Sequence, residues 1–250
     1  MNIGLLASTT LSEFRLQTLY PILNDTRFVI KAAILDVRPK KTFKEKVFKN
    51  IRRKRGGYIL IMAFKKLFTN EGLKISTTNF CRQHGIEIIE TESPYAPETI
   101  AKIKQFSLDI LLLVGGFGIV KEPLLSAAPK GILSFHHGNM RKYRGMPPAL
   151  WELFNGEKEM GITVQILSER LDAGMPVVEK SIKIEKADTI LKLRNRAQSE
   201  SPNMMYQALI KLMSDSYKPK YLNKLGKVYT LPNLRQWMLL QWRLFLRRYI

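Results

Sequence analysis

The chain has 250 residues, 45% of them hydrophobic and 25% charged, which is ample for a buried core and too apolar for an intrinsically disordered segment. Lys and Arg total 41 against 21 Asp and Glu, a formal charge of +20, and this points to anionic company: nucleic acid, an acidic membrane face or phosphorylated small molecules. A single cysteine, Cys81, excludes an internal disulfide framework and a cysteine-built zinc site, and three histidines argue against any protein-built metal site.

The N-terminal run MNIGLLASTTLSEF has no basic region ahead of its apolar residues, so it reads as a strand entering a helix rather than as a leader. No stretch approaches the ~18 to 20 apolar residues that span a bilayer. A cytoplasmic protein is expected, soluble or peripheral at a membrane. Strand-length apolar runs at 2–7, 29–35, 86–90, 109–114 and 131–135 alternate with helical patterns at 11–23, 73–84 and 97–106. Gly85 stops the second helix, and Glu98 suits the first turn of the third. A short helical turn follows at 123–126. The alternation predicts an α/β, Rossmann-like fold with a mainly parallel central sheet flanked by helices. Beyond Gly145 the pattern changes to a helix at 147–155, strands at 161–167 and 176–184 around the turn Leu171-Asp172-Ala173-Gly174, and one long amphipathic helix at 190–213.

Two segments depart from the average. Residues 40–55 carry nine basic side chains against Glu45 alone, followed by an apolar run at 58–64 and then Lys65-Lys66. Residues 236–250 interleave Trp237, Leu240, Trp242, Leu244, Phe245 and Leu246 with Arg243, Arg247 and Arg248. Both can be drawn as basic amphipathic helices. Packing against the domain or a second copy of the chain is one reading of them, and contact with anionic lipid or a polyanionic substrate is the other.

The chemistry concentrates in 131–184. A strand ends in His136, a loop carrying Arg141, Lys142 and Arg144 follows, and an Asp sits in the tight turn at 171–174. In α/β sheets functional groups gather where strands end, so His136 is placed to line a cleft that Asp172 can reach. Imidazole supplies a base of suitable pKa, and a carboxylate orients it and stabilises the imidazolium. A structural histidine and a turn-forming aspartate account for the same residues.

Four elements in this region carry a resemblance: Ser134-Phe135-His136, Tyr143-Arg144-Gly145, Gly161-Ile162-Thr163 and Leu171-Asp172-Ala173-Gly174, preceded by Asp109-Ile110-Leu111 leading into Gly115-Gly116-Phe117-Gly118. In this order and at this spacing they resemble the folate-dependent formyltransferase family, which includes the glycinamide ribonucleotide, methionyl-tRNA and nucleotide-sugar amine N-formyltransferases. The resemblance implies transfer of a formyl group from 10-formyltetrahydrofolate to a primary amine, without a metal. His136 and Ser134 would support the oxyanion, and Asp172 would hold His136 in the required state and help relay the proton. It places the folate between the loop Gly116, Phe117, Gly118, Ile119 and Val120 and the segment Glu169, Arg170 and Leu171, with Asn139, Arg141, Lys142, Arg144 and Gly145 on the acceptor.

Ser134 stands where the family has Asn. Loss of one oxyanion donor typically costs about a hundred- to a thousandfold in rate, and Asn139 is a replacement donor to consider. His137 replaces a small residue and is either a second acid/base group or a space filler. The resemblance divides the chain into a catalytic domain at 1–213, with the basic helical insert at about 38–68, and a short basic extension at 214–250. Only about 40 residues follow the long helix, too few for the C-terminal domain of methionyl-tRNA formyltransferases, and the glycine of a phosphate-gripping loop is absent at Ala7-Ser8-Thr9-Thr10. A nucleotide-linked or otherwise phosphorylated amino sugar is therefore the expected acceptor. A tRNA acceptor, hydrolysis of the folate donor, a non-catalytic folate or RNA binder, peripheral contact with an anionic membrane and a homodimer remain alternatives.

Overall fold

The computed structural model describes residues 1–39, 42–52 and 74–249. Its strands are β1 (Asn2–Ser8), β2 (Thr10–Ser12), β3 (Val29–Asp36), β4 (Lys74–Ser76), β5 (Glu87–Thr91), β6 (Ile110–Leu113), β7 (Ile132–His136), β8 (Tyr143–Gly145), β9 (Glu159–Ile166), β10 (Met175–Lys183) and β11 (Lys227–Tyr229). Seven of them form one sheet in the order β10-β9-β7-β6-β1-β3-β5. The five apolar runs that open the chain are the parallel strands β1, β3, β5, β6 and β7, and β9 and β10 continue the sheet antiparallel.

Burial on both faces explains why the parallel strands read as continuous apolar runs. Alternate side chains enter two cores. Leu5, Leu112 and Leu133 join the core shared with the helices Glu13–Leu23 and Asn203–Met213. Leu6, Leu111 and Ile132 join Ile100 and Ile103 of the helix Pro97–Gln105 in the other.

Several predicted helices are shorter than expected, each for a local reason. The first begins at Glu13 because 10–12 pair with β4 as a strand. The second is Thr77–Gln83, its N-terminus capped where the Ser76 hydroxyl accepts from the Asn79 amide at 3.3 Å. The predicted helix at 147–155 contracts to Leu150–Phe154, since Ala149 just ahead of it has φ +67° and so is not helical. The predicted long helix at 190–213 is two helices, Ile190–Ser199 and Asn203–Met213. Pro202 has no amide hydrogen to continue the first, and the Ser201 hydroxyl bonds back to the Ala197 carbonyl at 2.6 Å.

Most of the basic stretch 38–68 lies outside the described residues. Its described part contains the helix Phe43–Arg52, with Phe48 and Ile51 exposed. After residue 213 the chain returns to the 143–145 loop, where β11 pairs in parallel with β8 as a separate two-stranded sheet, and the helix Leu234–Tyr249 is fastened by Arg243 donating to the Phe154 carbonyl and by Arg247 donating to those of Ile184 and Glu185. Leu240 is buried there, whereas Trp242 and Phe245 face solvent. Among the described residues no helix is long and apolar enough to cross a membrane.

Candidate active site

The parallel order reverses at β1, which has β3 and β5 on one side and β6 and β7 on the other. Such a reversal opens a crevice at the carboxyl ends of the strands. The glycine loop after β6 sits there. Gly116 has φ +72° and passes so close to β1 that a Cβ would meet the Ala7 carbonyl oxygen at 3.2 Å and Asp36 at 3.3 Å. Asp36, ending β3, accepts from the Phe117 amide at 3.1 Å and is clamped by Arg38 at 2.6 and 2.7 Å. The Arg38 guanidinium holds the Asp36 carboxyl below its ordinary range against the opposing effect of partial burial. Phe117 and Val120 point into the core, so this loop offers an approaching ligand the exposed Ile119 and its backbone.

On β7, Ser134 and His136 alternate onto one face, both buried. Asp172 occupies its turn with φ +44°, a left-handed conformation that Asp tolerates better than most residues. Its Oδ2 accepts from the Gly145 amide at 2.7 Å and lies 3.5 Å from His136 Nδ1. The other ring nitrogen, Nε2, is 2.9 Å from the Tyr143 carbonyl oxygen and so must carry the proton it donates. Burial by itself would lower the His136 pKa, but the Asp172 carboxylate and the Tyr143 carbonyl outweigh it and the net shift is upward. Burial would raise Asp172, but His136 and the Gly145 amide carry it below its ordinary value.

The loop at 143–145 is therefore part of the site. Gly145 has φ +87°, and a Cβ there would collide with the Tyr229 carbonyl. Arg144 donates through Nε to the Gly226 carbonyl at 2.9 Å and through Nη1 to that of Leu171 at 3.4 Å. Strand β11 thus presses the loop against the Asp172 turn.

The remaining candidates are distributed more widely. The Ser134 hydroxyl makes only a 3.4 Å contact with the Phe135 carbonyl, which leaves it free to reorient. Asn139 accepts from the Arg141 amide at 2.9 Å and lines a cleft with Gly161, Thr163 and Ser181 over the antiparallel strands. Arg141 is paired with Glu179, and Lys142 with Glu157 at 2.9 Å. Glu169, Arg170 and Leu171 are exposed beside the Asp172 turn. The Asp36–Arg38 brace escapes sequence reasoning, although an Asp closing a strand with Arg two residues on is a readable signal. Glu152 escapes it too. It is 2% exposed in the helix Leu150–Phe154, and burial raises its carboxyl to about 7, opposed by the charge of His136. An acid in the apolar run PPALWELF was its only trace.

Residues 23–209 match the family described as formyl transferase. A methionyl-tRNA formyltransferase of Caldanaerobacter subterraneus subsp. tengcongensis is 28% identical over 153 residues, 60% of this chain and 50% of that protein. The chain spans half or less of the length of the curated relatives it matches. In structure, the N-formyltransferase from Helicobacter canadensis, solved with folinic acid and dTDP-3-aminofucose, superposes with a TM-score of 0.62 at 15% identity, covering 98% of this chain and 81% of that one. Glycinamide ribonucleotide transformylase 1 from Symbiobacterium toebii gives a TM-score of 0.60 at 18% identity over 89% of this chain and 94% of its own.

Proposed function

This chain belongs to the formyl transferase family, and on that premise we propose that it transfers a formyl group from 10-formyltetrahydrofolate to a primary amine of an anionic acceptor, a nucleotide-linked or otherwise phosphorylated amino sugar. The observation that carries the proposal is Asp172 Oδ2 shared between the Gly145 amide and His136 Nδ1 at a strand's end. One oxygen fixes both the loop and the imidazole.

The folate donor supplies an electrophilic formyl carbon on a nitrogen that can leave. The crevice suits it, since the close-packed glycines at 115–116 and the braced Phe117 hold loop backbone next to the site. In this reading Gly116, Phe117, Gly118, Ile119 and Val120 on one side and Glu169, Arg170 and Leu171 on the other hold the folate, largely through backbone. His136 donates Nε2–H to Tyr143 firmly, while its Nδ1 contact with Asp172, at 3.5 Å, is at the outer edge of hydrogen-bond range. Nδ1–H is thus the donor that can turn to an oxyanion. Ser134, free to reorient, is the second donor. The amine nitrogen bonds to the formyl carbon as the carbon–nitrogen bond to folate breaks; His136, protonated on both nitrogens beside Asp172, gives its Nδ1 proton to the departing nitrogen, and the vacated Nδ1 takes the proton lost by the amine. No metal takes part in this scheme. We assign this chemistry to 1–213, with 214–250 as the extension that buttresses it.

The likeness to methionyl-tRNA formyltransferases and the charge of +20 favour tRNA as a second reading of the acceptor. Calorimetric titration with tetrahydrofolate tests the donor site. Micromolar to submillimolar binding, lost when Gly116 is replaced by Val, is the expected result, and no binding to the wild type sinks the proposal. Formyl transfer to dTDP-amino sugars against transfer to charged initiator tRNA then decides the acceptor.

A further inference from the structure

Two arginines from different helices both bear on His137, which is turned away from His136 at the end of β7. Arg15 lies in the first turn of Glu13–Leu23 and Arg194 in Ile190–Ser199. Phe135 and His137 are the residues of this segment that alternate away from His136. The Arg15 guanidinium carbon is 5.1 Å from the Phe14 ring centre and 5.8 Å from that of Phe135. His137 stacks on Phe135 with ring centres 5.6 Å apart and meets the edge of Phe14 at the same distance.

Each polar side chain of this group has a buried atom without a hydrogen-bond partner: Arg15 Nη1, Arg194 Nε and His137 Nε2. Among the described residues neither arginine forms an ion pair, whereas Arg27, Arg38, Arg141 and Arg196 all do. Burial lowers the Arg15 pKa to about 10 and lowers that of Arg194. His137 is depressed to about 3, by burial first and then by Arg15, His136 and Arg194. Leaving a buried donor unmade is costly, and more so when it is charged. Two such cations beside an uncharged imidazole form a site whose electrostatics an anion would satisfy, with charge-assisted hydrogen bonds from planar guanidinium groups. The helix N-terminus is not the attraction, since Glu13 fills its first turn.

We propose that Arg15, Arg194 and His137 bind the phosphate of the acceptor, anchoring it across the end of β7 from the His136–Asp172 pair. This rests on the formyl-transfer reading and narrows it. The acceptor is a phosphate ester whose amine and phosphate straddle the strand end. On binding, the phosphate accepts from Arg15 Nη1, Arg194 Nε and His137 Nε2, and its negative charge raises the proton affinity of the ring.

The test is titration of the wild-type chain, Arg194→Gln and Arg15→Gln with inorganic phosphate in chloride buffer. Calorimetry and the ring-proton NMR shift of His137 are followed together. Saturable binding to the wild type is expected, weakened about tenfold or more in either variant, with the His137 pKa rising by more than one unit on saturation. Absence of saturable binding to the wild type, or equal binding by wild type and Arg194→Gln, overturns the proposal. Arg194→Gln carries the test if Arg15→Gln does not fold. Tetrahydrofolate binding is measured on the same samples. The donor reading stands or falls on the wild-type folate result, and the phosphate proposal on the phosphate result.

Discussion

His136 and His137 are neighbours in the chain and opposites in the fold. His136 has a partner for each ring nitrogen, a carboxylate and a carbonyl, and its pKa rises. His137 has an aromatic ring beneath it, two guanidinium groups nearby and no partner for Nε2, and its pKa falls to about 3. Both are largely enclosed, so burial alone does not distinguish them. The sign of the neighbouring charge does, and that follows from the strand's alternation: the even face meets the Asp172 turn, the odd face meets two helices that bring Arg15 and Arg194. In the readings proposed above, these adjacent imidazoles take different work, one to move protons and one to bind an anion.

The sharpest way to break the comparison is to remove the partnered side. His136→Ala and Asp172→Ala should each lower formyl transfer about a thousandfold or more while leaving the circular dichroism spectrum unchanged; activity within tenfold of wild type in both would remove the site assignment. Gly145→Ala should cost about 2–4 kcal/mol in chemical denaturation, because the new Cβ meets the Tyr229 carbonyl at a positive φ. Ser134→Asn sharpens the same face. A longer amide donor should raise turnover by about tenfold or more, and a loss would mean that the pocket is fitted to the smaller side chain.

A smaller effect concerns pH. A carboxyl raised to about 7 in the folded chain favours the protonated form, so Glu152 contributes stability at acid pH that is lost as pH rises from its ordinary value through about 7. Glu152→Gln should therefore be the more stable form above that range, by about 1–3 kcal/mol in denaturant melts, and should match the wild type near pH ~4. The His136–Asp172 pair has its own window. Asp172, depressed, stabilises above the ordinary carboxylate range and loses this as pH falls through its folded pKa. His136, raised, stabilises below about 6.5 and loses this as pH climbs through its folded pKa. Asp172→Asn should flatten both limbs.

Much of this was legible in the chain. The five parallel strands are apolar runs because both of their faces are buried, and the antiparallel pair alternates around the turn that holds Asp172. The glycine loop and the pairing of His136 with Asp172 follow from motifs whose order matches the family. The long helix at 190–213 misled because its apolar period continues across Ser201-Pro202 while the backbone cannot. Strands β8 and β11 were invisible since three residues carry no periodicity of their own. They exist only because each completes the other, and Gly145 fits because Tyr229 arrives from more than 80 residues away.

The sequence by itself determined what local chemistry can specify: where the chain must be extended or helical, where only glycine can turn, and which residues could move a proton. Contacts between distant segments decided the rest. They set which histidine has its pKa raised and which has it lowered, which of the many cations are neutralised by carboxylates, and that Arg15, Arg194 and His137 lie together without a counter-charge, because a side chain's ionisation depends on the groups that folding places around it.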